Sequence, residues 1–239
     1  MPRRPRVTLP GVPLHIIQRG NNREACFYAD DDYRSYLHWL KQYATECRCA
    51  IHAYVLMTNH VHLLLTSQTA TGTSELMKHL GQRYVQYVNR TYGRSGTLWE
   101  GRFRSCLTQE ESYLLGCYRY IELNPVRANM VTHPAEYAWS SYAANAQGSP
   151  TAIITPHPRY NDLGIDPSAR QASYRALFRD QLDPQLVNEI RAATNGNYAL
   201  GSPAFESQVA RALARRVSRG KPGRPRKCPD VSTQDLFGA

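Results

Sequence analysis

The sequence lacks the features that would place the protein in a membrane or outside the cell. Its 239 residues contain no apolar run that approaches the length of a membrane span. The basic start at residues 1–6 is not followed by an apolar segment of signal-peptide length. The six cysteines include no CxxC pair, and the CxC spacing of Cys47 and Cys49 is a poor pattern for a zinc knuckle or a redox pair. We therefore expect reduced thiols in a cytoplasmic, nucleoid-associated protein.

Acidic residues are the scarcer charged class. There are 19 Asp and Glu against 29 Lys and Arg, which gives a formal net charge of +10 and a pI near 9.5. This charge indicates a polyanionic partner, and nucleic acid is the first candidate. Eight Lys and Arg lie at residues 211–227 without any acidic residue, so subtracting them from +10 leaves about +2 for the rest. The 16 tyrosines suit stacking on unpaired bases, although most of them are expected to pack in the core.

Hydrophobic periodicity predicts strands and helices in the order β-α-β-β-α-β, followed by a further helix. Apolar alternation and short apolar runs predict strands at residues 12–19, 53–57, 60–65 and 98–107. Apolar residues at helical spacing predict helices at residues 33–47, 73–92 and 110–121. This order matches the split βαβ pattern. The predicted fold class is therefore α+β, a ferredoxin-like antiparallel sheet with helices on one face.

The composition changes beyond residue 146. Gly148-Ser149-Pro150 and further prolines predict a connecting segment. The first domain is therefore predicted to comprise residues 1–146. A helical region is predicted at residues 147–210, with helices near residues 174–180 and 184–193 and a third at residues 205–217. Residues 211–239 form a basic tail that is predicted to be disordered. Within it, Gly223-Arg224-Pro225 resembles an AT-hook, which lies in the minor groove of A·T-rich duplex.

Two histidines separated by one residue, His60 and His62, open the third predicted strand. Successive side chains of a strand point to opposite faces, so both imidazoles project from one face and Val61 from the other. Neutral imidazole is a common metal ligand, and two on one strand form half of a metal site. The alternative is a pair of structural core histidines. No third His or Asp with a general base beside it stands at ligand spacing, which disfavours a zinc hydrolase.

A second polar cluster closes the helix predicted at residues 110–121. Residues four apart share a helix face, so Tyr120 points with Asn124, and Tyr118 points with Glu122. Either pair could face the two histidines. Asn followed by Pro125 is also typical of a helix N-cap with proline at the first helical position. At this point the pattern leaves a purely structural role for Asn124 open.

Four segments together resemble the HUH single-strand endonucleases, specifically the tyrosine transposases of insertion sequences and their REP-associated relatives (RAYTs). These segments are Arg19-Gly20-Asn21-Asn22, His60-Val61-His62, Leu98-Trp99-Glu100-Gly101-Arg102-Phe103 and Tyr120-Ile121-Glu122-Leu123-Asn124-Pro125-Val126-Arg127. The similarity extends from about residue 12 to Trp139-Ser140-Ser141-Tyr142. It implies that Tyr120 is the nucleophile and that His60, His62 and Asn124 bind one divalent metal, Mg²⁺ or Mn²⁺. Insertion-sequence enzymes generally have Gln as the third ligand. Asn124 is shorter, as in the REP-associated branch, and Glu122 is the alternative ligand.

The resemblance also implies a reaction and a substrate. The reaction is metal-dependent cleavage and strand transfer of single-stranded DNA through a 5′-phosphotyrosine. The substrate is hairpin DNA, such as REP-like sequences or insertion-sequence ends, flanked by a short tetranucleotide, and the enzyme is a monomer or a homodimer. The alternative is a DNA-binding regulator that kept this fold and lost catalysis.

Arginine presents a planar donor fork to phosphates and bases, so basic residues at strand ends and in the tail are candidate DNA contacts. The candidates are Arg19, Arg23, Arg102, Arg104, Arg215, Arg216, Arg224, Arg226 and Lys227.

Overall fold

Five strands form one sheet in residues 6–218, the part of the chain that the computed structural model describes. In chain order they are β1 Leu14–Arg19, β2 Cys49–Met57, β3 His60–Ser67, β4 Arg104–Thr108 and β5 Ala199–Leu200. Their spatial order is β2-β3-β1-β4-β5, with antiparallel pairing among the first four and parallel pairing of β4 with β5. The first four strands therefore have the ferredoxin-like order that the sequence predicts.

Helices cover both faces of this sheet. Their bounds are α1 Asp30–Glu46, α2 Gly72–Thr91, α3 Glu110–Glu122, α4 Asn124–Arg127, α5 Tyr142–Gln147, α6 Pro158–Asn161, α7 Pro167–Ala176, α8 Pro184–Gly196 and α9 Pro203–Ala212. The predicted pair α1 and α2 packs on one face, in a core that includes Leu63 and Leu65. Helices α3, α5, α7 and α8 contribute to a second core, which includes Leu64. The continuous apolar run in β3 is explained because its successive side chains enter different cores.

Helix α1 begins at Asp30, three residues before the predicted start. The carboxylate of Asp32 accepts the backbone N–H groups of Tyr28 and Ala29 at 2.7 and 3.0 Å. These two groups precede the helix and would otherwise lack a partner there. The aspartates therefore stabilise the start of α1 from inside its first turn, where the macrodipole also favours negative charge.

The fourth strand is shorter than predicted. The sequence predicts extended chain from residue 98, but β4 begins only at Arg104. Gly101 has a φ of 133°, which turns the chain away from extended geometry and favours glycine. Leu98, Trp99 and Phe103 are nevertheless buried in the core beneath α1 and α2. Strand pairing in this segment is limited to an isolated antiparallel bridge between Trp99 and Gly20, and the apolar side chains otherwise reflect burial of a loop.

The C-terminal region departs from the predicted helix bounds. The helix expected near residues 174–180 is α7, which begins at Pro167 because the side chain of Asp166 accepts the N–H of Ala169 at 2.8 Å. Proline is favoured at the first helical position, where its missing N–H costs nothing. Two of the prolines that predicted irregular chain, Pro158 and Pro167, therefore start helices.

Helix α9 also ends before the predicted position, but the chain beyond it is packed. Val217 is buried, and its carbonyl oxygen accepts the N–H of Ala199 at 2.8 Å. Of the predicted tail, residues 211–218 include this contact, while residues 219–239 lie outside the described residues. The domain boundary near residue 146 stays a prediction. Among residues 6–218, no helix combines the length and the apolar character required to cross a membrane.

Candidate active site

His60 and His62 lie on one face of β3, as strand alternation predicts. In the sheet, His60 is opposite Arg19 of β1 and Met57 of β2. The ring centroids of the two histidines are 5.1 Å apart. Because β3 is hydrogen-bonded to a strand on each side, its backbone holds both imidazoles at defined positions.

Helix α3 brings Tyr120 to these histidines, and the start of α4 brings Asn124 to them. The ring of Tyr120 stands edge-on to that of His62, with 5.7 Å between centroids. Asn124 Nδ2 donates to the carbonyl oxygens of Tyr120 and Ile121 at 2.9 and 3.3 Å, and the side chain does not cap α4. Within residues 6–218, Asn124 Oδ1 has no hydrogen-bond donor. The amide therefore keeps an oxygen available for a ligand.

One open cavity of about 280 Å³ is lined by His60, His62, Tyr120 and Asn124. The four residues to which the resemblance assigns chemistry are thus brought together. The set offers two imidazoles and one amide oxygen, and no group of three or more His, Cys, Asp or Glu in the described part of the chain could hold a metal ion. This second finding gives no support to a zinc hydrolase.

Both histidines of the cavity are kept neutral. Burial lowers the pKa of His60 to about 4, and the charges of Arg19 and Arg127 contribute to this shift. Burial also lowers the pKa of His62 well below its ordinary value, with His15 and His60 adding to the effect. A neutral imidazole retains the lone pair that a metal ion requires.

A third histidine, His15, lies behind His62 and was not identified from the sequence. His15 Nε2 is 2.9 Å from His62 Nδ1, and the two rings stack with centroids 5.1 Å apart. On its other side, His15 Nδ1 is 3.0 Å from Thr194 Oγ1 of α8. Burial lowers the pKa of His15 to about 3. Alternation along β1 places His15 on the same face as Ile17. The sequence does not show that Ile17 pairs with His62, so the proximity of His15 to His62 is known only from the register between the strands.

Arginines add positive charge to the cavity. The guanidinium carbon of Arg127 lies 4.3 Å from the centroid of the Tyr120 ring, and Nη1 donates to the carbonyl oxygen of Tyr120 at 3.1 Å. Arg19 and Arg191 line the same cavity. Guanidinium groups bind phosphate oxygens through paired N–H donors. Arg127 belongs to the segment that carries the resemblance, but the sequence analysis assigned it no role.

The other face of α3 points away from the histidines. Glu122 is fully buried, and its carboxylate accepts hydrogen bonds from Ser141 Oγ at 2.6 Å, Asn145 Nδ2 at 2.8 Å and the Tyr174 hydroxyl at 2.7 Å. Burial raises the pKa of Glu122 to about 7, although these hydrogen bonds oppose the shift. Tyr118 is also buried, with its ring centroid 6.0 Å from that of Tyr174. Glu122 is therefore not positioned to be the alternative third ligand.

Three of the strand-end arginines predicted to contact DNA adjoin this cavity. Arg19, Arg102 and Arg104 line a cleft beside it, and Arg104 Nη1 donates to Asn195 Oδ1 of α8 at 3.0 Å. Arg23 is exposed in the turn after β1. These positions give a basic surface next to Tyr120.

The predicted contacts in the tail lie farther along the chain. Arg215 Nη2 donates to the carbonyl oxygen of Arg6, and Arg216 is exposed. The remaining three predicted contacts, and the AT-hook segment, are outside the described residues: Arg224, Arg226 and Lys227.

Comparisons with known proteins identify a family and structures with a similar fold. The family described as "Transposase IS200 like" matches residues 9–124. A solved structure of a REP-associated tyrosine transposase bound to a REP hairpin is similar, with a TM-score of 0.50 and 17% identity over 66% of this chain and 93% of that one. A structure described as a candidate transposase from Deinococcus radiodurans R1 has a TM-score of 0.36 and 22% identity, over 51% of this chain and 96% of that one. No curated protein sequence matches.

Proposed function

This chain belongs to the IS200-like transposase family through its residues 9–124, and we propose that it cleaves and rejoins single-stranded DNA through Tyr120. One observation carries the proposal: the Tyr120 ring shares a cavity with two neutral histidines, His60 and His62, and with the unpaired amide oxygen of Asn124. A tyrosine beside a half-formed metal site is required by phosphotyrosine chemistry and by few other reactions.

Tyr120 acts as the nucleophile in this proposal. Its hydroxyl oxygen attacks the scissile phosphorus and gives up its proton as the new bond forms, while the 3′-oxygen of the preceding nucleotide leaves as a hydroxyl. The product is a 5′-phosphotyrosine, which retains the energy of the phosphodiester bond. A second 3′-hydroxyl then attacks this bond and joins the strands, so one site performs both nicking and strand transfer.

The available donors fit a divalent ion. His60 and His62 would supply imidazole nitrogens and Asn124 its Oδ1, because the amide nitrogen is already held by backbone carbonyls. When bound, Mg²⁺ or Mn²⁺ polarises the scissile phosphate and stabilises the charge on the leaving oxygen. Arg127 complements this set, since it lies over the Tyr120 ring and offers donors to a phosphate there.

We propose hairpin DNA with a single-stranded flank as the substrate. The support is the fold shared with a REP-associated tyrosine transposase whose structure contains a REP hairpin. Arg19, Arg102 and Arg104 line a cleft beside the cavity, where they would bind the phosphates of the flanking strand. An enzyme with this substrate would be found with the chromosomal DNA.

Trapping the covalent intermediate tests the proposal. The wild-type protein is incubated with Mn²⁺ and a hairpin oligonucleotide labelled at its 3′ end, so that the label stays with the strand that becomes joined to the tyrosine. We expect a denaturant-resistant adduct from wild type and from Tyr118→Phe, and none from Tyr120→Phe, which still binds the DNA. Tyr118 is a matched control, because it is a buried tyrosine of the same helix outside the cavity.

Two outcomes would contradict the proposal. An adduct from Tyr120→Phe would exclude Tyr120 as the nucleophile. No adduct from wild type, with either Mg²⁺ or Mn²⁺ and on hairpins that it binds, would favour the catalytically inactive DNA-binding regulator.

A further inference from the structure

A chain of buried polar groups connects helix α8 to the candidate metal site. Thr194 Oγ1 lies 2.7 Å from the carbonyl oxygen of Ile190, His15 Nδ1 lies 3.0 Å from Thr194 Oγ1, and His15 Nε2 lies 2.9 Å from His62 Nδ1. The side chains of His15, His62 and Thr194 are each at most 3% exposed. Water therefore does not compete for these contacts, and each group depends on its neighbour in the chain.

The direction of each hydrogen bond follows from the carbonyl oxygen of Ile190, which ends this network. A carbonyl oxygen only accepts, so the single hydroxyl proton of Thr194 is donated to Ile190. Thr194 Oγ1 can then only accept, which requires that His15 carry its proton on Nδ1. Neutral His15 has one ring proton, so its Nε2 is an acceptor, and His62 must donate from Nδ1. The lone pair of His62 is consequently on Nε2.

The contact of Cys106 is consistent with this direction. Cys106 Sγ lies 3.2 Å from Thr194 Oγ1, in a buried position on β4. A hydroxyl oxygen has two lone pairs, so it can accept from both the Cys106 thiol and the His15 N–H. Thr194 Oγ1 then has all its hydrogen-bond partners, and the directions of the bonds from His62 through His15 to Thr194 stay the same. We call these bonds the relay.

His60 is held in the same way by a different neighbour. His60 Nδ1 lies 2.6 Å from Asn59 Oδ1, while Asn59 Nδ2 donates to the carbonyl oxygen of Arg23 at 2.9 Å. The second bond orients the amide so that its oxygen faces His60, which must donate from Nδ1. Both histidines therefore have the proton on Nδ1 and the lone pair on Nε2. Two independent networks that produce the same result point to a shared ligand of the two Nε2 atoms.

We propose that His15 and Thr194 are positioning residues, which hold His62 in the Nδ1–H tautomer so that its Nε2 binds the metal ion. This inference rests on the proposed function, because it takes His62 as a metal ligand. Thr194 belongs to α8, outside the residues 9–124 that match the family. The C-terminal region thus contributes to the active site through a residue that contacts His15 rather than His62 itself.

The tautomers can be measured directly in the full chain without metal. Two-dimensional NMR of the ¹⁵N-labelled imidazoles distinguishes a protonated Nδ1 from a protonated Nε2, and His60→Gln and His62→Gln assign the signals. We expect Nδ1–H for both histidines, and loss of the single form at His62 in Thr194→Val. A wild-type His62 that carries its proton on Nε2 would overturn the proposal.

Metal affinity tests the consequence of the tautomer without DNA or turnover. Mn²⁺ binding is measured by electron paramagnetic resonance for wild type, Thr194→Val, Thr194→Ser and Val187→Ala. Thr194→Val removes the acceptor for His15 and leaves the His62 proton free to move to Nε2. We expect about 10–100-fold weaker Mn²⁺ binding, the range usual for partners behind a metal ligand. Thr194→Ser keeps the hydroxyl and should restore binding.

Val187→Ala is the control for a merely structural role, because it removes an apolar contact of the same helix from the same core. It should lower Tm and leave Mn²⁺ affinity unchanged. If Thr194→Val weakens binding no more than Val187→Ala does, the relay is only a packing contact and the proposal fails. If wild type binds no Mn²⁺ that depends on His60, the metal site of the proposed function fails as well. If wild type forms the phosphotyrosine adduct and Thr194→Val keeps the wild-type Mn²⁺ affinity, the positioning role of His15 and Thr194 fails and the proposed function stands.

Discussion

Individual side chains in the cavity are suited to an anionic ligand and a metal ion together. His60 is kept neutral by burial and by the nearby guanidinium groups of Arg19 and Arg127. The same two arginines leave positive charge without a carboxylate to balance it, since no acidic residue among those described lines the cavity. A phosphate from DNA would supply the missing negative charge. Under the proposed function, these residues would bind the metal ion and the phosphodiester in one complex.

Replacing both His60 and His62 by Ala should abolish divalent-dependent cleavage and leave much of the DNA affinity. The reason is that the two imidazoles would bind the metal, whereas phosphate contacts elsewhere dominate binding to the strand. Cleavage is followed on denaturing gels and affinity by fluorescence anisotropy. His38→Ala, an exposed histidine on α1, serves as the control and should cleave like wild type. Undiminished nicking by the double variant would refute the assignment of the histidines.

Among the elements, helix α3 has two faces with different environments. One face presents Tyr120 to the cavity. The opposite face carries Glu122 into a buried network with α5 and α7, where three donors surround its carboxylate. Attachment of these helices to Glu122 limits rotation of α3. The network thereby helps to determine which tyrosine faces the histidines.

The Glu122 network should make stability depend on pH. Its pKa is raised from the ordinary 4.5 to about 7, so between these values the folded chain binds more protons than the unfolded chain. The contribution of this group to the free energy of unfolding is therefore fully present below about pH 4.5 and is lost as pH rises through about 7. From pH 5 to pH 8, wild type should lose roughly 2.5 kcal/mol relative to Glu122→Gln.

Urea unfolding of both proteins at several pH values measures this difference. The exposed Glu46 of α1 provides a comparison, and Glu46→Gln should follow the wild-type curve. Parallel curves for wild type and Glu122→Gln would show that the carboxyl titrates alike in the folded and unfolded chains.

At the level of the whole molecule, the C-terminal region is integrated with the sheet rather than appended to it. Strand β5 extends the sheet beside β4, and α8 contributes Thr194 to the network behind His62. Val217 lies in the core beneath α1 and α2. A C-terminal truncation that keeps these contacts must therefore start after Ser218.

Removal of residues 219–239 should therefore leave the fold intact and weaken DNA binding. The segment contains five Lys and Arg, namely Arg219, Lys221, Arg224, Arg226 and Lys227. For every phosphate that the truncated protein no longer binds, the slope of log affinity against log salt should become shallower by about 0.7 to 0.9. Titrations at several salt concentrations measure this slope. A full-length variant with these five residues changed to Gln should match the truncation. An unchanged slope in both would exclude a role of the tail in binding.

Several features of the fold, and the placement of the candidate site residues, follow from local sequence. Alternation placed His60 and His62 on one face of β3, and helical spacing paired Tyr120 with Asn124. Both are properties of the backbone repeat, which does not depend on what packs around it. The order of the first four strands followed from the sequence of strand and helix patterns. Residues 98–103 were predicted as strand from their apolar character, but their pairing is limited to an isolated bridge between Trp99 and Gly20, because buried loops and strands are similarly apolar.

Only the tertiary structure decided which face of α3 meets the histidines. Tyr120 with Asn124 and Tyr118 with Glu122 are equivalent in helical spacing, and the choice depends on the direction in which α3 packs on β2 and β3. The contacts of His15 likewise join distant parts of the sequence, because His62 is 47 positions and Thr194 is 179 positions away from it. Local sequence determines side-chain periodicity, whereas such distant contacts require the strand register and the docking of α8, which arise only when the whole core is packed.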